Sequence, residues 1–185
     1  IMKIVKKIYR KFYLLILVIL SIVLVFLVLT WSKKDTSIGK YVPGFVECIK
    51  GDTIKFEFNF KLNKILPDSI NGLPRVLPIP YPYAYGFIPV VKSLDGDFLD
   101  SFFISSGVVN YGNQLNFEPK LAIFMTDNGE EDTKLICVEQ DFKFDNKSIT
   151  EIVFFIENYS KDRIKIDSIV KIKSFKKFSK KLNKY

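Results

Sequence analysis

The chain contains 185 residues, of which 28 are Lys or Arg and 20 are Asp or Glu, and its formal net charge is +8. This length allows one domain with an appendage and excludes two full domains. Because the chain has no histidine, histidine-ligated metal sites, Ser–His–Asp triads and Cys–His pairs are excluded. Seven basic and no acidic residues fall in each of the segments 1–34 and 171–185, so the region between them is acidic, unlike a uniformly basic nucleic-acid binder.

The first predicted element is a transmembrane helix over residues 12–31. This stretch, FYLLILVILSIVLVFLVLTW, contains no charged residue, and a helix of its length crosses the roughly 30 Å hydrocarbon core of a bilayer. A cleaved signal peptide is the alternative, but the apolar run is longer than signal peptides have and no small-residue cleavage site follows it. We therefore expect a single-pass membrane protein with a basic flank over 1–11, while the side on which the remaining chain lies stays open.

Short strands dominate the prediction for the rest of the chain. After a linker over 32–44, the run FVECIKGDTIKFEFNF alternates apolar and polar residues, and its Gly51-Asp52 break suggests a hairpin. Prolines recur through 61–82 and exclude a long helix there. Further strands are predicted at 97–109, 121–126, 133–140 and 168–175.

One helix is predicted over 148–161, SITEIVFFIENYSK, in which apolar residues recur at helical spacing. Ser148 is the candidate N-cap, and Glu151 would complete a capping box. The strands and the helix predict a β-rich α+β domain over 45–173, arranged as a closed or nearly closed barrel. The lysine-rich tail, 174–185, is either a solvated end or an attachment site for anionic lipid headgroups.

The two cysteines, Cys48 and Cys137, are too few for a disulfide framework or a four-cysteine zinc site. Both fall in predicted strands. We interpret them as semi-buried thiols, with a disulfide between them as the alternative.

Two clusters of carboxylates are the candidate metal ligands. Asp95, Asp97 and Asp100 follow the tyrosine-rich run YPYAYGFIP, and a second cluster lies in MTDNGEEDTK at 125–134. Oxygen-only ligands favour hard cations such as Mg²⁺, Mn²⁺ or Ca²⁺ over zinc. An EF-hand is excluded, because the loop positions that need Gly and Glu are Asp100 and Ser106. For either cluster taken alone, a solvated acidic turn is the alternative.

Basic and tyrosine side chains outside the lysine-rich ends are candidates to complete such a site. Lys55, Arg75 and Lys134 lie near apolar, structured stretches, and Tyr85 and Tyr159 offer hydroxyl donors. Carboxylates would hold metal ions, and the cationic side chains would meet phosphate oxygens. These residue types suit a metal-chelated polyphosphate without identifying which one.

From about Phe45 to Lys161 the chain resembles the family I soluble inorganic pyrophosphatases. Three motifs of that family occur in order and at similar separations: YPYAYGFIP for YPxNYGFIP, LDGDFLD for DGDxxD, and MTDNGEEDTK for MxDxxxxDxK. VECIKGDTIKFEF and FFIENYSK are similar to two further family motifs. The resemblance implies an OB-like five-stranded closed barrel with flanking helices, here preceded by one transmembrane helix, and it allows a homo-oligomer.

The resemblance also implies Mg²⁺-dependent hydrolysis of pyrophosphate and a role for each matching residue. Asp97 would take the proton from the attacking water. The implied metal ligands are Asp95, Asp100, Asp127 and Asp132, with Glu47 and Glu57 acting through water. The implied phosphate-binding residues are Lys55, Arg75, Tyr85, Lys134, Tyr159 and Lys161.

Departures from the family motifs leave other functions open. The family asparagine in YPxNYG is Ala84 here, and the family lysine in FFxxYK is Ser160, with Lys161 one position on. One helical step rotates a side chain by about 100°, which suggests weaker phosphate binding. A catalytically weak scaffold or subunit of a membrane complex, and a hydrolase acting on another polyphosphate, are therefore the alternatives.

Overall fold

The computed structural model describes residues 19, 21, 39–93, 96–159 and 163–182. The chain divides into two compact units, residues 1–37 and 38–185. Of the first unit only Ile19 and Ser21 are described, and both are helical. The predicted basic flank and nearly all of the predicted transmembrane helix therefore lie outside the described residues. Within the described part of the chain, no helix is both long and apolar enough to cross a membrane.

The second unit is built mainly from strands. In chain order the strands are β1 (Val42–Cys48), β2 (Phe56–Asn59), β3 (Lys64–Pro67), β4 (Ser69–Ile70), β5 (Leu73–Pro74), β6 (Ala84–Lys92), β7 (Phe98–Ile104), β8 (Gln114–Asp127), β9 (Glu130–Glu139) and β10 (Ile164–Lys171). The helices are α1 (Asn146–Tyr159) and α2 (Phe175–Leu182).

Five of the strands close into a ring. Their order is β1-β6-β7-β9-β8, and β8 pairs back onto β1 with Val42 opposite Phe117. β7 and β9 run parallel, whereas the other neighbours in the ring are antiparallel. β10 adds to the outside edge of β8. The ring confirms the expected β-rich fold with a five-stranded closed barrel.

Alternate residues along the ring strands enter two separate apolar clusters, because successive side chains of a strand point to opposite faces. On β7, Phe102 belongs to the first cluster and Phe103 to the second. Helix α1 packs on the first cluster through Phe155, and α2 packs on the second through Phe175 and Leu182. One helix thus packs against each apolar cluster, which agrees with the expected flanking helices.

The β8–β9 hairpin carries the second acidic cluster at its tip. Asn128 and Gly129 form the turn with φ of 57° and 87°, the left-handed pair that an Asn-Gly hairpin turn requires. Asp127 consequently lies opposite Glu130. The local sequence therefore explains why these carboxylates crowd at one end of two strands.

Two predictions about the start of the domain are wrong. The linker was expected to extend to residue 44, but Val42 is already buried and paired in β1. The expected hairpin at Gly51-Asp52 does not form between β1 and β2, because β2 pairs with β3 instead. The amide of Gly51 donates to the carbonyl of Tyr81, so this turn binds a distant segment.

Two predictions about the helices also need correction. Helix α1 begins at Asn146, and its N-cap is Asp145, whose Oδ1 accepts hydrogen bonds from the amide and hydroxyl of Ser148. The lysine-rich segment after residue 173 is not a free tail, because it forms helix α2 with buried Phe175 and Leu182. An eight-residue segment rich in lysine still folds here, since its apolar residues recur at helical spacing.

Candidate active site

Asp100 of β7 and Lys134 of β9 meet because these strands are parallel, with Ser101 opposite Leu135. The residues just before this pair therefore share one face of the sheet. Lys134 Nζ lies 2.8 Å from Asp100 Oδ2 and 2.9 Å from Asp132 Oδ2. One ammonium group thus joins a carboxylate from each of the two clusters predicted from the sequence.

Tyr85 completes this group from β6. Its hydroxyl donates to Asp100 Oδ2 and accepts a hydrogen bond of 3.2 Å from Lys134 Nζ.

Burial raises the pKa of Tyr85, and the negative charge of Asp100 raises it further. Burial also raises the pKa of Asp100, but the Lys134 ammonium, the Tyr85 hydroxyl and the charge of Lys55 together outweigh it and leave that pKa lowered. Burial lowers the pKa of Lys134, but the Asp100 and Asp132 carboxylates outweigh it and leave it raised. The phenol is therefore neutral while the carboxylate and ammonium are charged.

A cavity of about 440 Å³ opens beside Asp100. The carboxylates that line it come from β1, β2 and the start of β7. The predicted site residues in its wall are Glu47, Lys55, Glu57, Tyr85, Asp97 and Asp100. The rest of the wall consists of Lys92, which sequence reasoning did not single out, and four phenylalanines: Phe58, Phe60, Phe87 and Phe98. Acidic side chains from distant parts of the chain therefore share one hollow with an apolar rim.

Glu47 is the most buried of these carboxyls, with 8% of its surface exposed. Its Oε1 accepts a hydrogen bond of 2.7 Å from the amide of Phe58. Burial raises the pKa of Glu47 to about 7; the Phe58 amide lowers it, whereas the charges of Asp100 and Glu57 raise it further. Burial thus disfavours the charged form of Glu47 although the Lys55 ammonium favours it, and an added cation would favour the charged form further.

A cationic cluster lies next to this cavity. Lys55 Nζ and Arg75 Nη1 lie 3.8 Å and 3.3 Å from the same oxygen, Asp68 Oδ2. The guanidinium carbon of Arg75 lies 4.9 Å from the ring centroid of Tyr159, at the end of α1. Burial raises the pKa of Tyr159, and the charges of Lys55, Arg75 and Lys134 oppose that shift. Three cations therefore surround one phenol, an arrangement suited to an anion with several oxygens.

Sequence reasoning missed Asp68, which holds this cationic cluster together. Its amide donates to the carbonyl of Lys55, and its carbonyl accepts from the amide of Arg75. Between Asp68 and Arg75 lies the β4–β5 hairpin, whose Asn71-Gly72 turn has positive φ at both residues. That turn was the available signal, because residues that flank a short hairpin lie opposite each other.

Sequence reasoning also missed Arg163, which precedes β10. Its Nε and Nη2 lie 3.0 Å and 2.9 Å from the two carboxylate oxygens of Asp127. No motif singled out this arginine; the pairing arises because Ile164 lies opposite Asp127 in the β10–β8 ladder. Asp127 is therefore held bidentately at the edge of the site.

The structure thus brings most of the predicted site residues into one region. Asp132 and Lys134 join the cavity through Asp100, and Lys55 links the cavity to the cluster of Arg75 and Tyr159. Asp95 and Lys161 lie outside the described residues. Both cysteines are free, so the predicted alternative of a disulfide is wrong.

The ring of strands and its acidic hollow, flanked by lysine and arginine, define a β-barrel protein whose cavity brings carboxylates and cationic side chains together. The family model for inorganic pyrophosphatase matches residues 44–182. A curated inorganic pyrophosphatase from Halobacterium salinarum is 33% identical over 145 residues, which cover 70% of this chain and 77% of that protein. One from Sulfolobus acidocaldarius is 31% identical over 112 residues, covering 56% of this chain and 60% of that protein.

A solved structure agrees with these relatives. The inorganic pyrophosphatase from Neisseria gonorrhoeae matches with a TM-score of 0.66 and 25% identity, covering 79% of this chain and 91% of that chain. Because the family model covers well over half of the chain, this protein belongs to the inorganic pyrophosphatase family. The match reaches residue 182, so helix α2 is part of the family domain.

Enzymes of this family are metal-dependent, and the donor set can be compared with that requirement. Among the described residues, no group of three or more Asp, Glu, Cys or His side chains is placed to hold a metal ion, and the predicted ligand Asp95 is not among them. The carboxylates in the cavity wall nevertheless supply oxygen donors only, as hard divalent cations prefer. A bound cation would also favour the charged form of the buried Glu47 carboxyl.

Proposed function

We propose that this chain hydrolyses inorganic pyrophosphate to two phosphates with Mg²⁺ as its cofactor. The observation that carries the proposal is the contact of Lys134 with both Asp100 and Asp132, beside a carboxylate-lined cavity. A soluble anion with several charges needs both the cations that hold it and the carboxylates that hold its metal ions. The site offers both, and the family of the chain supports the substrate.

The metal ions would be held by carboxylates and would supply the chemistry that side chains lack. The proposed ligands are Asp95, Asp100, Asp127 and Asp132, with Glu47 and Glu57 acting through water. When bound, divalent ions lower the pKa of water and withdraw charge from phosphate oxygens. Oxygen-only donors favour Mg²⁺, with Mn²⁺ as the nearest substitute.

The side chains of this chain would bind and orient the substrate. Lys55, Arg75 and Lys134 present fixed positive charges to the phosphate oxygens, and the hydroxyl of Tyr159 donates a hydrogen bond. The hydroxyl of Tyr85 would donate to phosphate on turning away from Asp100. The pairing of Lys134 with two carboxylates keeps its ammonium charged at all physiological pH values. The phenylalanines of the cavity rim exclude bulk water, which strengthens these interactions. No covalent nucleophile is needed.

Asp97 would act as the general base. It lies in the cavity wall with Asp100 and Glu57, which supports its carboxylate as the acceptor of a proton from the water that attacks phosphorus. The leaving phosphate would be stabilised by the neighbouring lysine and arginine charges. This role and the other assignments above are proposals that mutagenesis can test.

Phosphate release from pyrophosphate in the presence of Mg²⁺ tests the proposal. Asp97→Asn is expected to lower kcat on the order of a hundredfold, within the range for loss of a general base. Asp141→Asn is the matched control: Asp141 is exposed in a turn at a φ of 63°, which asparagine also adopts. If the wild-type chain releases no phosphate in a Mg²⁺-dependent manner, the proposal is wrong and the scaffold alternative stands.

The same assay separates the remaining alternative. A panel of pyrophosphate, tripolyphosphate and ATP is expected to show the highest kcat/KM for pyrophosphate. Faster hydrolysis of either longer substrate would instead assign the site to another polyphosphate.

We further propose, from the apolar run at 12–31 alone, that the domain is tethered to a membrane. The full chain is then expected to stay in the membrane pellet after an alkaline carbonate wash, and a chain without residues 1–34 is expected in the supernatant. Recovery of both in the supernatant would remove the membrane anchor from the proposal.

A further inference from the structure

Helix α2 presents a face made only of lysines, which we name the α2 lysine face. The buried residues of the helix are Phe175, Ser179 and Leu182. The α2 lysine face consists of the exposed residues Lys176, Lys177, Lys180 and Lys181. Packing of the apolar side against the second cluster fixes the helix, so the four ammonium groups are held on one side as a patch.

The charge of this face is only partly balanced by nearby carboxylates. Within the described residues, none of its four lysines forms an ion pair. By contrast, Lys120 is paired with Glu118 and Lys165 with Asp167.

Asp167 and Glu131 line a hollow with Lys181, and Asp167 is engaged by Lys165. Glu118 lines another hollow with Lys176, but it is paired with Lys40 and Lys120. Among the described carboxylates that line these hollows, Glu131 alone therefore faces the four ammonium groups. No acidic residue follows Asp167 in the chain. The face therefore attracts a partner with several negative charges.

Apolar side chains accompany the lysines. Val170 of the edge strand β10 is 46% exposed, and it lines a hollow together with Phe178 and Lys181 of α2. Exposed apolar groups next to lysines suit the boundary between headgroups and acyl chains, where both kinds of side chain find partners. A nucleic acid or an acidic protein would satisfy the lysines only.

The position of the domain's first described residues points in the same direction. Gly39 and Lys40 line one hollow of about 330 Å³ together with Ser174, Phe175 and Lys176 at the start of α2. Only residues 32–38 separate them from the apolar run proposed above as a membrane anchor. At no more than about 3.6 Å per residue, that stretch spans at most roughly 30 Å, so the tether would keep the face within reach of the bilayer.

We propose that the α2 lysine face binds the anionic headgroups of a lipid bilayer and thereby holds the domain against the membrane surface. Such binding strengthens about fivefold for each lysine near an anionic surface. The proposal concerns a different surface from the candidate active site, so it stands or falls independently of pyrophosphate hydrolysis.

The experiment uses the full chain with a protease site introduced within 32–38. The protein is reconstituted into vesicles of phosphatidylcholine alone or of phosphatidylcholine with about 30% phosphatidylserine. The phosphatidylserine gives the second kind of vesicle a negative surface potential. Cleavage then releases the folded domain from its tether, and sedimentation measures the fraction that stays with the vesicles. Retention is expected on the phosphatidylserine vesicles only, and 0.5 M salt, on the order of a 4 Å Debye length, should abolish it.

Two variants with equal charge changes locate the surface. The test variant carries Lys176→Gln, Lys177→Gln, Lys180→Gln and Lys181→Gln, and glutamine preserves helix propensity. The control variant carries Lys50→Gln, Lys61→Gln, Lys64→Gln and Lys147→Gln, all at exposed positions. The test variant is expected to lose at least about tenfold in vesicle affinity, while the control variant stays close to wild type.

Three outcomes would overturn the proposal. The first is equal release of the wild-type domain from both kinds of vesicle. The second is equal retention of the two variants, which would place binding elsewhere or reduce it to net charge. The third is binding of duplex DNA, added as competitor, more tightly than phosphatidylserine vesicles, which would identify a nucleic acid as the partner.

Discussion

Lys134 Nζ lies 2.8 Å from Asp100 Oδ2, although the two residues belong to different strands and are separated by 33 intervening residues. The contact exists because β7 and β9 are neighbours in parallel register. It is the point at which the two acidic clusters predicted from the sequence meet.

Lys134→Met is expected to lower the free energy of unfolding, because it leaves Asp100 and Asp132 without their shared cation. Removing one member of a fully buried pair costs about 3–5 kcal/mol; since the Asp100 side chain is 36% exposed, we expect about 2 kcal/mol. Urea unfolding in EDTA measures this value. The double variant Lys134→Met/Asp100→Asn should recover part of the loss. If its loss of unfolding free energy equals the sum of the losses in the two single variants, the ion pair is not responsible.

The two cysteines are expected to be unreactive in the folded protein. Both are fully buried, and burial raises the pKa of each thiol to about 12. At pH 8 the thiolate fraction is then about one in ten thousand, and only the thiolate reacts. Treatment with a thiol-reactive disulfide reagent should modify neither Cys48 nor Cys137 in buffer and both in guanidinium chloride. Rapid modification of one thiol without denaturant would contradict the burial.

Gly86→Ala is expected to destabilise the ring severely. A Cβ at Gly86 would lie 2.0 Å from the carbonyl oxygen of Phe45 and 3.0 Å from the amide nitrogen of Glu47. Both are backbone atoms of β1, so relief would require the β1–β6 pairing to separate, at a cost of about 3 kcal/mol or more. Thermal unfolding or loss of soluble protein measures the effect.

Gly107→Ala is the matched control, because the added Cβ would meet only the hydroxyl of Ser105 at 3.8 Å. It should unfold within a few degrees of wild type. A similar loss in both glycine variants would show that the close approach at Gly86 is not the cause.

The N-cap at Asp145 is expected to make helix α1 sensitive to acid. The amide of Ser148 donates to the Asp145 carboxylate and lowers its pKa, and the Ser148 hydroxyl lowers it further. Because the folded pKa is below the unfolded value, the stabilisation is present above about pH 4 and is lost as the pH falls through the folded pKa.

The difference in melting temperature between wild type and Asp145→Ala is therefore expected to be larger at pH 6 than at pH 2.5. Asp145→Asn keeps an acceptor for the Ser148 amide and should fall between the two at pH 6. A difference between wild type and the alanine variant that does not change with pH would rule out the charge of the cap.

Much of the fold could be predicted from local patterns. Alternation in IKFEFNF predicted a strand, the Asn128-Gly129 pair is a hairpin signal, and the prolines of 61–82 excluded a helix that the structure also lacks among its described residues. Such features depend on a few neighbouring residues. The capping residue of α1 and the fold of the lysine-rich segment were mispredicted, because Asp145 competes with Ser148 for the cap and because α2 gains its stability from tertiary packing.

By itself the sequence determined the residue chemistry of this protein: which carboxylates, lysines and tyrosines are available, in which motifs, and on which face of each strand. Only the tertiary structure decided that Asp68 contacts both Lys55 and Arg75, that Arg163 forms an ion pair with Asp127, and that Lys134 joins two acidic clusters. The physical reason is that these contacts depend on strand pairing between segments far apart in the chain. Local periodicity sets the direction of a side chain, but the pairing sets which other side chain it meets.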